Sequence, residues 1–122
     1  MLDSMKSVTR SVTAEELDDI LHSRRWAAMA FVDDQRIQME PVAFRYDGGR
    51  YFVGLPPGMH PPGGRTKLLV DEGTWYFELR GLWVRGSLAP CAEPKDAQQG
   101  RSWFELAPEK LAAWHYGRMR VT

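Results

Sequence analysis

The segment that decides the fold is residues 40–52, EPVAFRYDGGRYF. Residues 36–40 alternate between polar and apolar side chains, and residues 42–46 continue this strand-like pattern beyond Pro41. A proline inside a strand predicts an edge or a bulge, because it has no N–H for the ladder. Asp47-Gly48-Gly49 is a typical hairpin turn, so residues 50–55 are predicted to return as an antiparallel strand.

Upstream of this hairpin, the sequence predicts one helix and one strand. Thr13 and Glu16 form a capping box, in which each side chain bonds to the other residue's backbone N–H, and a helix is expected over 14–23. Residues 26–32 are almost all apolar, as in a strand that is buried on both faces. Residues 33–35 form the turn that connects this strand to the alternating segment.

Downstream, residues 56–64 contain four prolines and three glycines, which excludes helix and strand and predicts an irregular loop. Strands are expected over 66–70, 79–88 and 103–106, with a polar loop over 89–100. Gly81 and Gly86 predict a bulge or a bend within the strand 79–88.

A second helix is predicted at the C-terminal end. Pro108 suits the first helical position and Gly117 a helix end. Leu111 and Trp114 would give this helix an apolar side.

These elements predict a mostly β fold, an antiparallel β-barrel of about six strands with an N-terminal and a C-terminal helix, rather than a doubly wound sheet. The strands are expected to follow one another as a meander. The length of 122 residues suits one domain, placed at 13–122 after a flexible lead-in at 1–12.

Charge and cysteine content bound the class of protein. Sixteen basic residues balance sixteen acidic ones, so neither nucleic acid nor an anionic membrane is an expected partner. No apolar run resembles a signal peptide or a membrane span, and Cys91 has no partner for an internal disulfide. A cytoplasmic protein is expected.

The sequence contains no Ser-His-Asp order, phosphate-loop motif or dinucleotide glycine signature. His60 suits a phosphate contact, a catalytic acid or simple exposure to solvent. The histidines have no partners at ligand spacing, so no metal site is expected. The aromatic run at 75–77 is expected to pack in the core or in an interface.

Several segments, in order, resemble the pyridoxamine 5′-phosphate oxidase-like family of FMN-binding split barrels. They are the helix with residues 26–32, the hairpin 40–52 with its "P-V-x-F-x-Y-D-G" pattern, residues 69–72, residues 79–86, and residues 104–110 with Trp114. The likeness covers about residues 13–117. It implies a homodimer with cofactor sites at the subunit interface, a small-molecule substrate, and FMN as cofactor, with a deazaflavin coenzyme or haem as less common ligands.

The resemblance also implies site residues. The isoalloxazine ring would lie along Met39, Glu40, Pro41 and Val42, and the ribityl chain and phosphate would approach Val53 and Gly54. Trp114 lies where relatives bring an aromatic side chain close to the flavin.

The chain departs from the family at the phosphate. Gly58, Met59 and His60 stand where relatives carry a Ser-x-Lys motif that opens a short helix. A phosphate needs cations and oriented N–H donors. His60, Arg65 and Lys67 are therefore expected to replace the missing cations, and Gly58 to contribute to an anion nest.

Two functions follow from this resemblance. The first is a flavin- or deazaflavin-dependent oxidoreductase with an unknown substrate and unknown catalytic residues. The second is a non-catalytic cofactor-binding or interaction module on the same barrel, with a degenerate phosphate site.

Overall fold

The computed structural model describes residues 6–10, 13–72 and 80–115. These residues form one helix and seven strands. In chain order they are β1 (Lys6–Arg10), α1 (Ala14–Ser23), β2 (Trp26–Asp33), β3 (Arg36–Asp47), β4 (Arg50–Leu55), β5 (Arg65–Glu72), β6 (Arg80–Pro90) and β7 (Ser102–His115).

The helix begins where the capping box predicts. The Thr13 side chain accepts a hydrogen bond from the Glu16 N–H, and the Glu16 carboxylate accepts one from the Thr13 N–H, both at 3.1 Å. Leu17, Ile20 and Leu21 are buried against the barrel. Among the described residues, no helix combines the length and apolar character that a membrane span requires.

Six strands close into an antiparallel barrel. Hydrogen-bonded neighbours follow the order β7-β4-β3-β2-β5-β6, and β6 pairs again with β7 to complete the ring. Strand β1, which lies within the segment predicted to be a flexible lead-in, extends the sheet by pairing in parallel with the end of β7.

Both predicted tight turns are present, and both use left-handed backbone. Gly48 and Gly49 have φ values of 59° and 78°. Asp34 and Gln35 reach 50° and 64° without being glycines. Two consecutive residues with positive φ are the mark of the hairpin turn that matches strand twist.

The strand order differs from a simple meander after β4. Strand β5 pairs with β2 and not with β4, so the Pro/Gly loop 56–64 carries the chain across one end of the barrel. This loop contains no helix or strand, as predicted, and its one tight turn has the Met59 N–H donating to the Pro56 carbonyl at 3.1 Å. A loop of nine residues is too long to form a tight hairpin turn. Strand β5 is therefore not held beside β4, and it pairs with β2 and β6.

The C-terminal helix predicted from Pro108 is absent from the described residues, and that prediction is wrong over 108–115. These residues continue β7, which pairs with β6 along its length. Pro108 is tolerated because the register shifts between Arg85 and Gly86, which leaves Glu109 as an extra, bulged residue. Gly117 and the aromatic run 75–77 lie outside the described residues.

The core consists of side chains from alternate strand positions, closed at one side by α1. Its fully buried members include Met29, Phe44, Leu68, Leu82 and Leu111. The alternate positions of the same strands point outward, and the functional candidates lie there.

Gly86 is required by the bulge, and replacing it with Ala should lower the free energy of unfolding by about 1–3 kcal/mol or more through overpacking. An added Cβ would lie 2.0 Å from the Ala107 carbonyl oxygen. Urea unfolding followed by circular dichroism measures the loss. Gly64→Ala is the matched control, because a Cβ there meets nothing within 4 Å; equal stability of the two variants would contradict this account.

Candidate functional site

The strand segment expected to face the flavin ring, Met39–Val42, lies at an open edge of β3. Strand β4 pairs with β3 only from Ala43 to Asp47, whereas β2 pairs with β3 along the whole segment. The backbone of residues 39–42 is thus bonded on one side only, as Pro41 predicted.

The side chains of this segment divide between two faces. Met39 and Pro41 are exposed on the outside of the barrel, Glu40 is half-buried, and Val42 is fully buried in the core. The Val42 side chain is therefore unavailable to a ligand, and Val42 can contact one only through its main chain.

Two other expected contacts on β4 are largely covered. Val53 is fully buried in the core. Gly54 lies under the Trp103 indole, since a Cβ at Gly54 would come within 2.8 Å of that ring. Gly54 pairs with Ala43 and Val53 with Phe44, so the backbone of both residues adjoins the open edge of β3 although their side-chain positions are covered.

The loop candidates lie at one end of the barrel. Gly58 is exposed, with a φ of 82°. His60 is exposed and lines a depression of about 350 Å³, together with Phe31, Val32, Asp33 and residues 59–63 of the loop.

Arg65 and Lys67 line a second groove on the outer barrel face, which has a volume of about 280 Å³. Arg85 is the third cation in it, because residue 67 of β5 pairs with residue 85 of β6. Ala30, Val32 and Ile37 form its apolar wall. The groove and the depression at His60 share Phe31 and Val32, so they are direct neighbours.

The cations in this groove are only partly neutralised. Arg65 forms an ion pair with Glu109 at 2.8 Å, and the Arg85 Nε lies 3.9 Å from the same carboxylate. At that distance Arg85 makes no hydrogen bond, and its Nε is shielded from solvent without a hydrogen-bond partner in the described structure. The groove therefore offers one unsatisfied donor in a cationic setting, which suits an anion.

Trp83 sits beside the groove as a platform for positive charge. The Lys67 ammonium lies 4.3 Å from the centre of the Trp83 ring, and the Lys110 ammonium lies 5.9 Å from it. Such cation–π contacts hold Lys67 in place without consuming its hydrogen-bond donors.

Trp114 lies apart from both hollows. It is half-buried on the outer face of β7, where a Cβ at Gly81 would come within 2.9 Å of its ring. The structure thus brings Arg65 and Lys67 into one groove and His60 into its neighbour, and leaves Trp114 on a more distant strand.

Sequence reasoning missed Arg85 as a site residue. Its alternation with Val84 places it on the outer face, but its alignment with Lys67 depends on the register of the β5–β6 pair. The strand composition does not reveal that register.

The titratable groups with altered pKa values lie away from this groove. Hydrogen bonds from Arg50 lower the pKa of Glu105, and burial raises the pKa of the Tyr51 phenol and of the Cys91 thiol. A raised pKa disfavours the thiolate, so Cys91 is unsuited to nucleophilic attack at neutral pH. In the described parts of the chain, no group of three or more His, Cys, Asp or Glu side chains is placed to hold a metal ion.

The groove should bind inorganic phosphate, which would raise the melting temperature of the protein by mass action. Arg85→Gln removes the unsatisfied donor and should abolish most of this rise in a thermal-unfolding series with increasing phosphate at constant ionic strength. Lys95→Gln, an exposed lysine in another loop, should respond as the unmodified protein does. An equal rise in melting temperature in all three proteins would show that the groove is not the anion site.

No protein-family model matches the chain, and no curated protein matches it by sequence. Solved structures do match it in fold. An FAD binding protein from Mycobacterium smegmatis superposes with a TM-score of 0.67 at 13% identity, covering 82% of this chain and 92% of that one.

Two further structures agree with this match. A candidate pyridoxamine 5′-phosphate oxidase from Listeria innocua gives a TM-score of 0.62 at 13% identity, covering 82% and 94% of the two chains. An FAD and haem binding protein from Mycobacterium smegmatis gives 0.58 at 16% identity, covering 90% and 69%. The chain therefore has the split-barrel fold of the FAD-binding and pyridoxamine 5′-phosphate oxidase-like proteins, as its sequence segments predicted.

Proposed function

We propose that the protein binds a flavin, with FMN as the expected form, and acts as a flavin-dependent oxidoreductase on a small molecule. The observation that carries the proposal is the groove of Arg65, Lys67 and Arg85, which lies across β2 from the open edge of β3. Cations for a phosphate and free main-chain groups for a ring edge thus lie on one face of the barrel.

The residues present fit this cofactor. A phosphate would satisfy the Arg85 Nε, which has no hydrogen-bond partner in the described structure, and would draw on Arg65 and Lys67 for charge. Main-chain groups of residues 39–42 would contact the polar edge of the ring. Ala30, Val32 and Ile37 would exclude water from its apolar parts.

The cofactor and the protein would have different roles in this reaction. A bound flavin supplies the hydride or electron transfer, while the protein binds and orients it. The described groove contains no acid–base pair of its own, and His60 is the nearest imidazole in the neighbouring depression. Such a site suits chemistry that the cofactor itself performs.

The depression at His60 favours a test of FAD beside FMN. Its volume of about 350 Å³ adjoins the cationic groove through Phe31 and Val32, so it offers space for a nucleotide beyond the phosphates. Two proteins with the same fold, both from Mycobacterium smegmatis, are FAD binding proteins. The resemblance to the split-barrel family also makes the deazaflavin coenzyme and haem worth testing.

One observation favours the second function, a non-catalytic module. The loop 56–64 contains no helix, so the helix start that binds phosphate in relatives of the resembled family has no counterpart. The two functions differ in whether the three cations of the groove replace that helix start.

The proposal predicts that replacing Lys67 and Arg85 together with Gln weakens FMN binding by roughly a hundredfold or more, since charge-assisted hydrogen bonds contribute about 1.5–3 kcal/mol each. Riboflavin lacks the phosphate and should bind both proteins equally. Flavin fluorescence quenching measures both affinities, with Lys95→Gln as the control for loss of a surface lysine outside the groove.

An unchanged affinity for FMN in the double variant would contradict the phosphate assignment. Absence of FMN, FAD and deazaflavin binding by the unmodified protein would favour the non-catalytic module. Bleaching of the bound flavin by a nicotinamide hydride donor would support the oxidoreductase.

We also propose a homodimer that uses the outer barrel face beside the groove. Trp26, Val32, Ile37 and Met39 are 50%, 68%, 80% and 60% exposed, which is unusual for large apolar side chains on one face. A second copy would cover this patch and complete the site from the other side, where its Trp114 is expected to approach the flavin.

The dimer should have twice the chain mass of 14.0 kDa by light scattering after gel filtration. Ile37→Glu places a charge in the apolar patch and should give a monomer. Gln38→Glu adds the same charge on the opposite face of β3 and should leave the dimer intact. Dissociation of both variants, or of neither, would argue against this face as the interface.

A further inference from the structure

A third hollow lies on the outer barrel face, between β3 and the loop that joins β6 to β7. Its volume is about 220 Å³. Arg45 and Ala43 of β3 form one wall, residues 96–98 of the loop form another, and Arg25 and Trp103 close the ends. We refer to this hollow as the arginine cleft.

The loop that walls the cleft is held firmly. The Cys91 N–H donates to the Trp103 carbonyl at 3.3 Å, and the Trp103 indole N–H donates to the Gln98 carbonyl at 3.2 Å. A turn with the Ala97 N–H donating to the Pro94 carbonyl at 3.2 Å shapes its middle.

An apolar cluster also fastens this loop. Cys91 and Ala97 pack against Ala43, Phe52 and Trp103, which form a small core on the outside of the barrel. The cleft is therefore preformed, which lowers the entropic cost of binding.

The two arginines of the cleft have spare donors. Arg25 donates once, to the His22 carbonyl at 3.2 Å. The Arg45 Nε is shielded from solvent and has no hydrogen-bond partner in the described structure. Neither guanidinium forms an ion pair with a carboxylate of the described residues.

Both arginines line the cleft, and an anion there would accept hydrogen bonds from their terminal guanidinium N–H groups. Arginine side chains suit planar oxyanions, because their N–H groups match two oxygens at once.

The charge and the volume of the cleft limit the class of ligand that it can bind. Asp96 also lines the cleft, so two positive charges face one negative charge and the balance favours a singly charged anion. The cleft is smaller than the roughly 300–1,000 Å³ typical of pockets for drug-sized ligands. Ala43 and Trp103, both largely buried, form its apolar lining.

We propose that the arginine cleft is a second ligand site, which binds a small monocarboxylate with an apolar body through Arg25 and Arg45. It is distinct from the cationic groove. Ala43 pairs with Trp26 and Met39 with Ala30, so four residues of strand, about 13 Å, separate the two along β3. The proposal stands without the flavin assignment.

The test titrates the purified protein with benzoate and follows amide and arginine Nε–H signals by NMR. Benzoate should shift the Arg45 Nε–H signal and the Trp103 indole signal. Arg45→Gln and Arg25→Gln should each weaken binding about tenfold or more. Arg36→Gln, at the far end of β3, should bind as the unmodified protein does. Neutral benzamide should not bind.

Asp96→Asn removes the negative charge, and asparagine tolerates the positive φ of 57° at this position. It should tighten benzoate binding and allow inorganic phosphate to shift the same signals. The proposal is overturned if benzoate shifts no cleft signals, if it shifts signals of the Arg65–Arg85 groove alone, or if both cleft arginine variants retain full affinity while folded by circular dichroism. Preference for phosphate over benzoate in the unmodified protein also overturns the monocarboxylate assignment.

Discussion

The pairing of β7 with both of its neighbours is the constraint on which the rest of the structure depends. The first part of β7 lies between β4 and β6, and its later part lies between β6 and β1. Because β4 and β6 are the two ends of the remaining sheet, β7 alone closes the barrel. The ladder that completes the closure carries a bulge at Glu109, and beside this bulge Gly86 approaches the Ala107 carbonyl too closely for any Cβ.

How much of the fold the sequence predicts depends on the range of the interaction. The capping box at Thr13 and the glycine turn at Gly48 act over three or four residues, and both elements were correctly predicted. Residues 108–115 satisfy the local rules for a helix start, but their apolar run at 111–114 is equally compatible with a buried strand. Their pairing with β6 decides between the two, and this long-range contact leaves no signal within the segment.

Which residues of the candidate site the sequence predicts also depends on the range of the interactions between them. The departure from the family's phosphate motif led us to expect His60, Arg65 and Lys67 as cations, and the structure places Arg65 and Lys67 in one groove and His60 in its neighbour. Arg85 lies 18 residues beyond Lys67 and joins them only through the strand register. Arg25 and Arg45 meet because β2 pairs with β3, with Trp26 opposite Ala43 and the Phe44 N–H donating to the Arg25 carbonyl, and the loop after β6 lines the same cleft. The sequence pattern assigns Arg25 to no site, since no motif links these positions.

Because side chains alternate between the two faces of each strand, the residues that stabilise the core are different from those that can bind a ligand on the outer face. On β5, Thr66, Leu68 and Val70 are buried, whereas Arg65 and Lys67 face outward. The outward cations can therefore change without opening a cavity in the core, and the charge pattern of the outer face is free to vary between proteins that share the barrel. This freedom explains how 13% identity accompanies a TM-score of 0.67. It also means that fold similarity alone cannot identify the ligand, which depends on how far the outward side chains satisfy one another. Arg85 and Arg45 each keep an Nε without a hydrogen-bond partner in the described structure, and each of these arginines lines a hollow of the outer face.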